Sequence, residues 1–222
     1  MKGSLGLKKN IRSYVLPRSR TKLKDDETLR KFENVFFFSL ANIESIPNLV
    51  KERTSILEVG FGDGENIIHF AKNNLDKRFY GVEVYRSGLA TAAKKIHKLG
   101  LENITLIEGD VKELVSKVKE PSFDYIFFLF PDPWPKKKHK KRRLLKNIFM
   151  ENLGQIIKPE GKVIIKTDWE DYANELSREF KVKIEKTDFD SIKGLVPIET
   201  KYERKGLKEG RKIFTYILNL NT

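Results

Sequence analysis

From Thr54 onward, the chain alternates short apolar runs with longer amphipathic stretches. This order is typical of repeated βαβ units, in which helices cover a parallel sheet. Seven strands are predicted, at 55–59, 79–84, 104–109, 123–130, 162–168, 181–189 and 211–220. Helices are predicted between them at about 65–74, 87–99, 112–118, 142–157 and 170–179. The pattern therefore predicts an α/β protein with a seven-stranded, doubly wound, mostly parallel sheet and an antiparallel C-terminal strand.

The 222 residues are enough for one substantial hydrophobic core. We therefore expect a single domain over residues 31–222. Residues 1–30 are polar and basic with few apolar anchors, so we expect them to form a flexible N-terminal arm. A helix-like segment around 29–43 follows the arm.

Composition narrows the classes of function. The chain has 44 Lys and Arg against 31 Asp and Glu, a formal net charge of +13, for which a polyanionic partner is the leading interpretation and general solubility the alternative. It has no cysteine, which excludes disulfides, thiolate metal sites and a cysteine nucleophile. No other cluster has metal-ligand spacing, and no apolar run is long enough to span a membrane. We expect a cytoplasmic protein without metal or membrane contact.

The run ILEVGFGDGEN places Gly60, Gly62 and Gly64 between the first predicted strand and a helix. Glycine suits this turn because it adopts unusual dihedral angles and lets the backbone approach a ligand. A dinucleotide-binding fingerprint would need its third glycine at position 65, where the chain has Glu65. The spacing, preceded by Glu58, resembles that of Rossmann-like class I methyltransferases, which bind S-adenosylmethionine. A purely structural turn is the alternative.

Acidic residues end three successive predicted strands. A carboxylate at Glu58 suits a positively charged ligand. Glu83 lies about 20 residues past the glycines, where such folds bind ribose hydroxyls, although it also fits a solvent-facing strand end. Asp110 would face the adenine amino group of the cofactor, cap the next helix, or do both. Three acids at one sheet edge are difficult to explain as packing, so we assign them to cofactor binding.

The segment FLFPDPWP follows the fourth predicted strand. Its three prolines restrict the backbone, so that Asp132 and Trp134 lie on a stiff loop. An aromatic side chain beside an acid suits a nucleobase, with Trp134 as a stacking or packing surface and Asp132 as a hydrogen-bond acceptor. The alternative is a proline-terminated strand with Trp134 in the core.

Residues 136–143, here called the basic run, are seven cations and His139. A solvated charged surface normally mixes signs, whereas this run has one sign. Contact with phosphates is therefore favoured over a merely solvated surface.

Taken together, these motifs resemble those of the tRNA (guanine-N7) methyltransferase family. The resemblance extends from ILEVGFGDG through GVEV, EGD, FPDPWPKKKHKKRR and KTDW to TKYERKG. It implies methyl transfer from S-adenosylmethionine to N7 of a guanine in tRNA, at variable-loop position 46. Two positions depart from the family pattern: Tyr202 stands where Phe is common, and Arg211 where His is usual.

The resemblance also implies roles for individual residues. The residues implied to bind the cofactor are Glu58, Gly60, Gly62, Gly64, Glu83, Asp110 and Asp132, and Asp132 is also implied to be catalytic. Those implied to meet the substrate are Lys136, Asp168, Thr200, Lys201, Tyr202 and Glu203. Those implied to contact RNA are Lys138, His139, Lys140, Lys141, Arg142 and Arg143.

Two other functions compete with this one. A methyltransferase acting on another RNA or DNA base also places an acid or amide beside prolines after the fourth strand. A non-enzymatic RNA-binding protein with a methyltransferase-like fold is the second, although intact acids at every expected strand end argue against it. The sequence is compatible with either a monomer or a homodimer.

Overall fold

The computed structural model describes residues 12–14, 23–37, 53–180, 192 and 195–220. Its strands are β1 (Ser55–Val59), β2 (Arg78–Glu83), β3 (Ile104–Glu108), β4 (Phe123–Leu129), β5 (Ile157–Thr167) and β6 (Phe214–Leu218). Its α-helices are α1 (Leu23–Phe36), α2 (Glu65–Asn73), α3 (Arg86–Leu99), α4 (Val111–Lys117), α5 (Asn147–Gly154), α6 (Glu170–Glu179) and α7 (Lys201–Lys208). A 3-10 helix covers Lys137–Arg142.

The strands of the described residues form one sheet in the order β3-β2-β1-β4-β5-β6. Strands β1 to β5 pair in parallel with one another, and β6 pairs antiparallel with β5. This confirms the predicted doubly wound, mostly parallel sheet. Six of the seven predicted strands lie among the described residues, and the predicted strand at 181–189 lies outside them. The strand order reverses between β1 and β4, which is where open α/β sheets bind ligands.

The parallel strands carry apolar residues on both faces, as expected where helices cover both sides of a sheet. Neighbouring residues of β1 face opposite sides: Ile56 packs with α1, α2 and α3, and Leu57 packs with α4, α5 and α6. On the first side, the ring centroids of Phe70 and Phe127 are 5.1 Å apart. Full burial of each such side chain contributes about 1.5–3 kcal/mol. The helices packed on the two faces therefore hold the sheet in place, and with it the edge on which the site is built.

Helix α1 begins at Leu23, earlier than predicted, so part of the segment assigned to the arm is helical. Its buried residues Leu29, Phe32 and Phe36 recur at helical spacing and pack in the cluster that contains α3. Asp25 accepts a hydrogen bond from Ser87 at the start of α3. The remainder of the predicted arm, apart from residues 12–14, and residues 38–43 of the predicted helix lie outside the described residues.

The second half of the chain differs from prediction in three places. Helix α5 is shorter than the predicted 142–157 segment, because the first residues of that segment lie in the 3-10 helix and an extended connection. Strand β5 begins at Ile157, and a register irregularity opposite Phe123 and Tyr125 accommodates the extra residues. Helix α7, which contains most of the TKYERKG motif, was not predicted.

Candidate functional site

A cavity of about 390 Å³ opens at the carboxyl ends of β1 to β4, and we call it the strand-end cavity. This volume falls in the range of small-molecule sites. The predicted site residues that line it are Gly60, Gly62, Glu83, Asp110, Asp132 and Tyr202. The fold therefore brings together residues from five separate segments of the chain.

The glycine loop is open to the strand-end cavity at two positions. Gly60 and Gly62 have φ angles of 73° and 62°, in the left-handed region that favours glycine. A Cβ atom at either position would meet no atom within 4 Å, so the backbone is accessible to a ligand. Gly64 differs, because a Cβ there would lie 2.9 Å from Ala92 Cβ. Gly64 therefore serves helix packing, and the other two glycines face the cavity.

Glu83 joins the end of β2 to the glycine loop. Its Oε2 accepts a hydrogen bond from Gly62 N at 2.8 Å. Its Oε1 accepts from Val84 N at 2.7 Å and from Tyr85 N at 2.9 Å. Burial raises the pKa of Glu83, the three backbone N–H groups lower it, and the charge of Asp132 raises it, for a net rise. Glu83 thus fixes the loop geometry as well as lining the cavity.

Glu58 lies behind the glycine loop. It is 3% exposed and is not among the described residues that line the strand-end cavity. Its Oε2 accepts a hydrogen bond from Asn66 Nδ2 at 2.8 Å, and Asn66 Oδ1 in turn accepts from Ile198 N at 3.1 Å. Burial raises the pKa of Glu58 to about 8. The side chain that the resemblance assigned to the cofactor therefore links β1, through Asn66 of α2, to the segment before α7.

Asp110 has both of the roles that the sequence left open. Its carboxylate caps α4 by accepting a hydrogen bond from Lys112 N at 2.9 Å. It also lines the strand-end cavity. An N-cap carboxylate has further lone pairs, so capping leaves acceptor capacity for a ligand.

The proline loop, residues 130–135, has strained ends. Phe130 and Trp134 have φ angles of 55° and 44°, which non-glycine residues rarely adopt. Such conformations cost about 1–3 kcal/mol each and persist only where the surrounding structure holds them. Between these two residues, Asp132 is exposed and lines the strand-end cavity. The structure therefore presents this carboxylate at the cavity edge at a cost in backbone energy.

Trp134 packs inside the protein. It is 8% exposed, and the guanidinium carbon of Arg142 lies 4.9 Å from its ring centroid. Trp134 is thus not available to stack on a base, and the packing alternative holds. Its Nε1 donates a hydrogen bond to Ser13 O at 2.9 Å. This bond holds residues 12–14 against the site, where Ser13 and Tyr14 line the strand-end cavity.

Sequence reasoning missed Ser13 and Tyr14. The available signal was weak: a buried indole N–H needs an acceptor, but nothing in the sequence says where that acceptor lies.

In the motif at α7, Thr200, Lys201 and Glu203 bond within the protein, whereas Tyr202 lines the strand-end cavity. Thr200 is the N-cap and accepts a hydrogen bond from Glu203 N at 3.3 Å. Glu203 accepts bonds of 2.6 Å to each oxygen from Lys166 Nζ, at the end of β5. Lys201 N donates to Glu65 Oε2 at 2.9 Å, which joins α7 to the start of α2. Tyr202 is 52% exposed and lines the strand-end cavity.

Asp168 faces the other end of α7. Its Oδ2 accepts a hydrogen bond from Arg211 Nε at 2.7 Å. A Cβ on Gly206 would lie 2.8 Å from the same oxygen, so glycine allows the helix to approach Asp168 closely. Arg211, whose departure from the family pattern had no assigned role, is therefore the ion-pair partner of Asp168.

The basic run is not uniformly exposed. Lys136, Lys137, Lys138 and Lys141 are exposed, whereas the Lys140 ammonium pairs with Asp171 at 2.6 Å. Partial desolvation and then the neighbouring cations, Arg142 first, lower the pKa of His139, which favours a neutral imidazole.

Arg143, which the resemblance assigns to RNA contact, lies buried in the structure. Its side chain is 0% exposed, and it pairs with Asp171 and Glu175. A side chain that is fully covered by its own protein is not available to a phosphate.

Among the described residues, no group of three acidic or histidine side chains is arranged to hold a metal ion. No described helix combines the length and apolarity needed to cross a membrane.

Comparisons with known proteins agree on one chemistry. A family model described as a putative methyltransferase matches residues 52–216. The chain is 34% identical to a tRNA (guanine-N(7)-)-methyltransferase of Buchnera aphidicola subsp. Acyrthosiphon pisum, covering 96% of this chain and 92% of the relative. It is 36% identical to the protein of that description from Wolbachia pipientis wMel, with 88% and 86% covered.

One solved structure supports the fold. The aminoglycoside resistance methyltransferase NpmB1 matches with a TM-score of 0.51 and 17% identity, covering 79% of this chain and 92% of that one. At this identity, the likeness speaks for the fold alone.

Proposed function

The chain belongs to the tRNA (guanine-N(7)-)-methyltransferase family, and from this premise we propose that it methylates N7 of a guanine in tRNA with S-adenosylmethionine as donor. The observation that supports this most directly is the strand-end cavity, where glycine backbone, strand-end carboxylates and an exposed tyrosine meet. Following the family pattern, we assign the target to the variable-loop guanine at position 46. We also propose that the protein acts in the cytoplasm, where its substrate is.

The strand-end cavity fits S-adenosylmethionine. A Cβ atom on Gly60 or Gly62 would occupy open space, so a ligand can lie directly against this backbone. Asp110 offers acceptor capacity to the adenine amino group, and Glu83, with three of its acceptor positions in use, offers the remainder to the ribose. When bound, S-adenosylmethionine supplies a methyl group made electrophilic by a sulfonium.

The reaction requires little acid–base catalysis from the protein. N7 of neutral guanine carries a lone pair and no proton, so no general base is needed to activate it. Orientation of the base therefore provides most of the rate. Because methylation makes the guanine cationic, a nearby carboxylate also stabilises the charge that develops in the transition state.

Asp132 is the carboxylate best suited to this role. Asp168 and Glu203 are not among the described residues that line the strand-end cavity. Asp132 is exposed at the cavity edge, on the strained proline loop. We assign it hydrogen bonds from the Watson–Crick edge of the guanine and the electrostatic role in catalysis.

Tyr202 is the aromatic surface that we assign to the target base. It is 52% exposed and lines the strand-end cavity, whereas Trp134 is buried. Stacking on an exposed aromatic ring contributes about 1–3 kcal/mol per base, which offsets part of the cost of unstacking the guanine from the tRNA. The Lys201 ammonium lies 5.3 Å from the same ring and pairs with Asp63 at 3.3 Å.

The exposed lysines of the basic run form the proposed phosphate surface. Lys136, Lys137, Lys138 and Lys141 are exposed on or beside the 3-10 helix that follows the proline loop. Phosphate contacts there would position the tRNA so that its target base reaches Asp132.

The decisive experiment is methyl transfer to unmodified tRNA. The protein is incubated with unmodified tRNA and S-adenosylmethionine carrying a labelled methyl group, and the product is digested to nucleosides for mass spectrometry. We expect labelled 7-methylguanosine from the variable loop. A labelled methyl group on another base would show that guanine N7 is not the target. The absence of methyl transfer by folded protein would contradict enzymatic activity.

A further inference from the structure

Arg143 ends the basic run but is buried, with its guanidinium directed toward the proline loop. We propose that Arg143 is a positioning residue that fixes the loop around Asp132. This inference rests on the proposed methyl transfer, because it gives Arg143 an effect on the rate through Asp132.

The contacts of Arg143 use each of its three side-chain nitrogens. Nε donates to Pro133 O at 2.9 Å, Nη2 donates to Asp171 Oδ2 at 2.6 Å, and Nη1 donates to Glu175. The guanidinium carbon lies 4.7 Å from the ring centroid of Tyr172. A planar group with fixed donors that is held on three sides has one available orientation.

The bond to Pro133 is the contact that matters for function. Pro133 directly follows Asp132, so its carbonyl fixes the peptide on one side of the catalytic carboxylate. On the other side, Phe130 N donates to Lys166 O at 2.8 Å. The φ angles of Phe130 and Trp134, 55° and 44°, require such support because the isolated loop would relax from them.

The partners of Arg143 make α6 part of this support. Asp171 and Glu175 lie one helical turn apart on α6 and face the guanidinium together. Hydrogen bonds from Lys140 and Arg143 lower the pKa of Asp171, and for Glu175 the ion pairs with Lys146 and Arg143 outweigh burial and lower its pKa as well. Both carboxylates are therefore ionised at neutral pH. A phosphate could reach Arg143 only by displacing two carboxylates that already neutralise it.

The ion pair with Glu175 is largely buried, and such pairs contribute little net stability, because desolvation of the charges offsets their attraction. Specification of one loop conformation is the benefit that the geometry supports. Lysine at position 143 would retain a charge but would lose the fork that reaches Pro133 and both carboxylates.

The first test compares Arg143→Lys with two controls. Lys146→Met also removes a cation from Glu175 but does not contact the proline loop. Lys141→Met removes an exposed cation of the basic run. For each, we measure the single-turnover rate of methyl transfer at saturating tRNA and S-adenosylmethionine, the tRNA dissociation constant at several salt concentrations, and the thermal unfolding midpoint.

Arg143→Lys is expected to lower the rate about tenfold or more, because small misplacements of a catalytic group are costly, while tRNA affinity and its salt slope stay unchanged. Lys141→Met is expected to reduce the salt slope by about one, which is the signature of a lost phosphate contact. Lys146→Met is expected to leave both rate and slope unchanged. An Arg143→Lys protein with wild-type rate, or with a reduced salt slope and weaker tRNA binding, would overturn the inference.

The second test asks whether Arg143 acts through Asp132. In an Asp132→Ala background, Arg143→Lys should lower the residual rate less than about twofold, because the side chain that it positions is gone. If the two losses multiply, Arg143 acts by another route and the inference fails.

These tests separate the inference from the proposed function. If wild-type protein forms no 7-methylguanosine, the proposed function fails, and the rate comparison is then made on whichever base the wild type methylates. If wild type is active and Arg143→Lys matches it, only the inference fails.

Discussion

The buried Glu58 makes a quantitative prediction about stability and pH. Burial raises its pKa to about 8 in the folded protein, against an ordinary value of 4.5. A carboxyl group whose pKa is raised in the folded protein destabilises the folded state when it is ionised. Its penalty is therefore absent below about pH 4.5, grows as pH rises, and becomes constant above about pH 8.

Replacing Glu58 with glutamine removes this titration and keeps an oxygen that can accept from Asn66. At about 1.36 kcal/mol per pKa unit, the free energy of unfolding of Glu58→Gln relative to wild type should rise by about 4 kcal/mol between pH 5 and pH 9. Other titrating groups are common to both proteins and largely cancel in the difference.

The assay is urea denaturation of both proteins at several pH values between 5 and 9, without cofactor. A difference in unfolding free energy that stays constant across this range would refute the argument, since it would mean that Glu58 does not carry a raised pKa. A difference that falls as pH rises would mean that Glu58 is stabilised as the anion.

The same variant tests the placement of Glu58. Because Glu58 is not among the described residues lining the strand-end cavity, we expect Glu58→Gln to bind S-adenosylmethionine with nearly wild-type affinity at pH 7. Isothermal titration calorimetry measures this directly. A loss of about tenfold or more, roughly 1.4 kcal/mol, would instead support the direct contact that the family resemblance implies.

Three further predictions concern the site and the RNA surface. Asp132→Ala is expected to lower the single-turnover methylation rate about 100-fold or more, because it removes the carboxylate at the developing charge; wild-type rates would exclude Asp132 from the mechanism. Trp134→Phe keeps the apolar packing but leaves Ser13 O without its indole donor. An unsatisfied buried acceptor costs about 1–3 kcal/mol. The loss should weaken S-adenosylmethionine binding, because Ser13 and Tyr14 line the cavity. Calorimetry checks this, and unchanged affinity would mean that residues 12–14 do not support the cofactor. Affinity for tRNA should fall with salt with a logarithmic slope of about 3 to 4 if the four exposed lysines of the basic run each meet a phosphate; a flat response in filter-binding measurements would contradict the proposed RNA surface.

The sequence by itself determined the fold class and the sheet edge that bears the site. Short apolar runs that alternate with amphipathic segments are local signals, and they located β1 to β4 to within a residue at each end. The positions of Glu83, Asp110 and Asp132 followed from them, because parallel strands bring their carboxyl ends to one edge. Local signals did not reveal α7, because its sequence is mostly charged and Gly206 weakens its helix propensity.

Tertiary structure alone decided what each charged side chain does. Glu58 and Arg143 lie in motifs that suggest ligand contact, yet one lies behind the glycine loop and the other under the proline loop. The role of a side chain depends on partners that are distant in the sequence. Trp134, for example, bonds to Ser13, which is 121 positions away. Periodicity gives the face of an element but not the group that packs against it. The free energy of a charged side chain depends on which group packs against it and on how far that packing excludes water. The roles of Glu58 and Arg143 therefore became definite only in the folded chain.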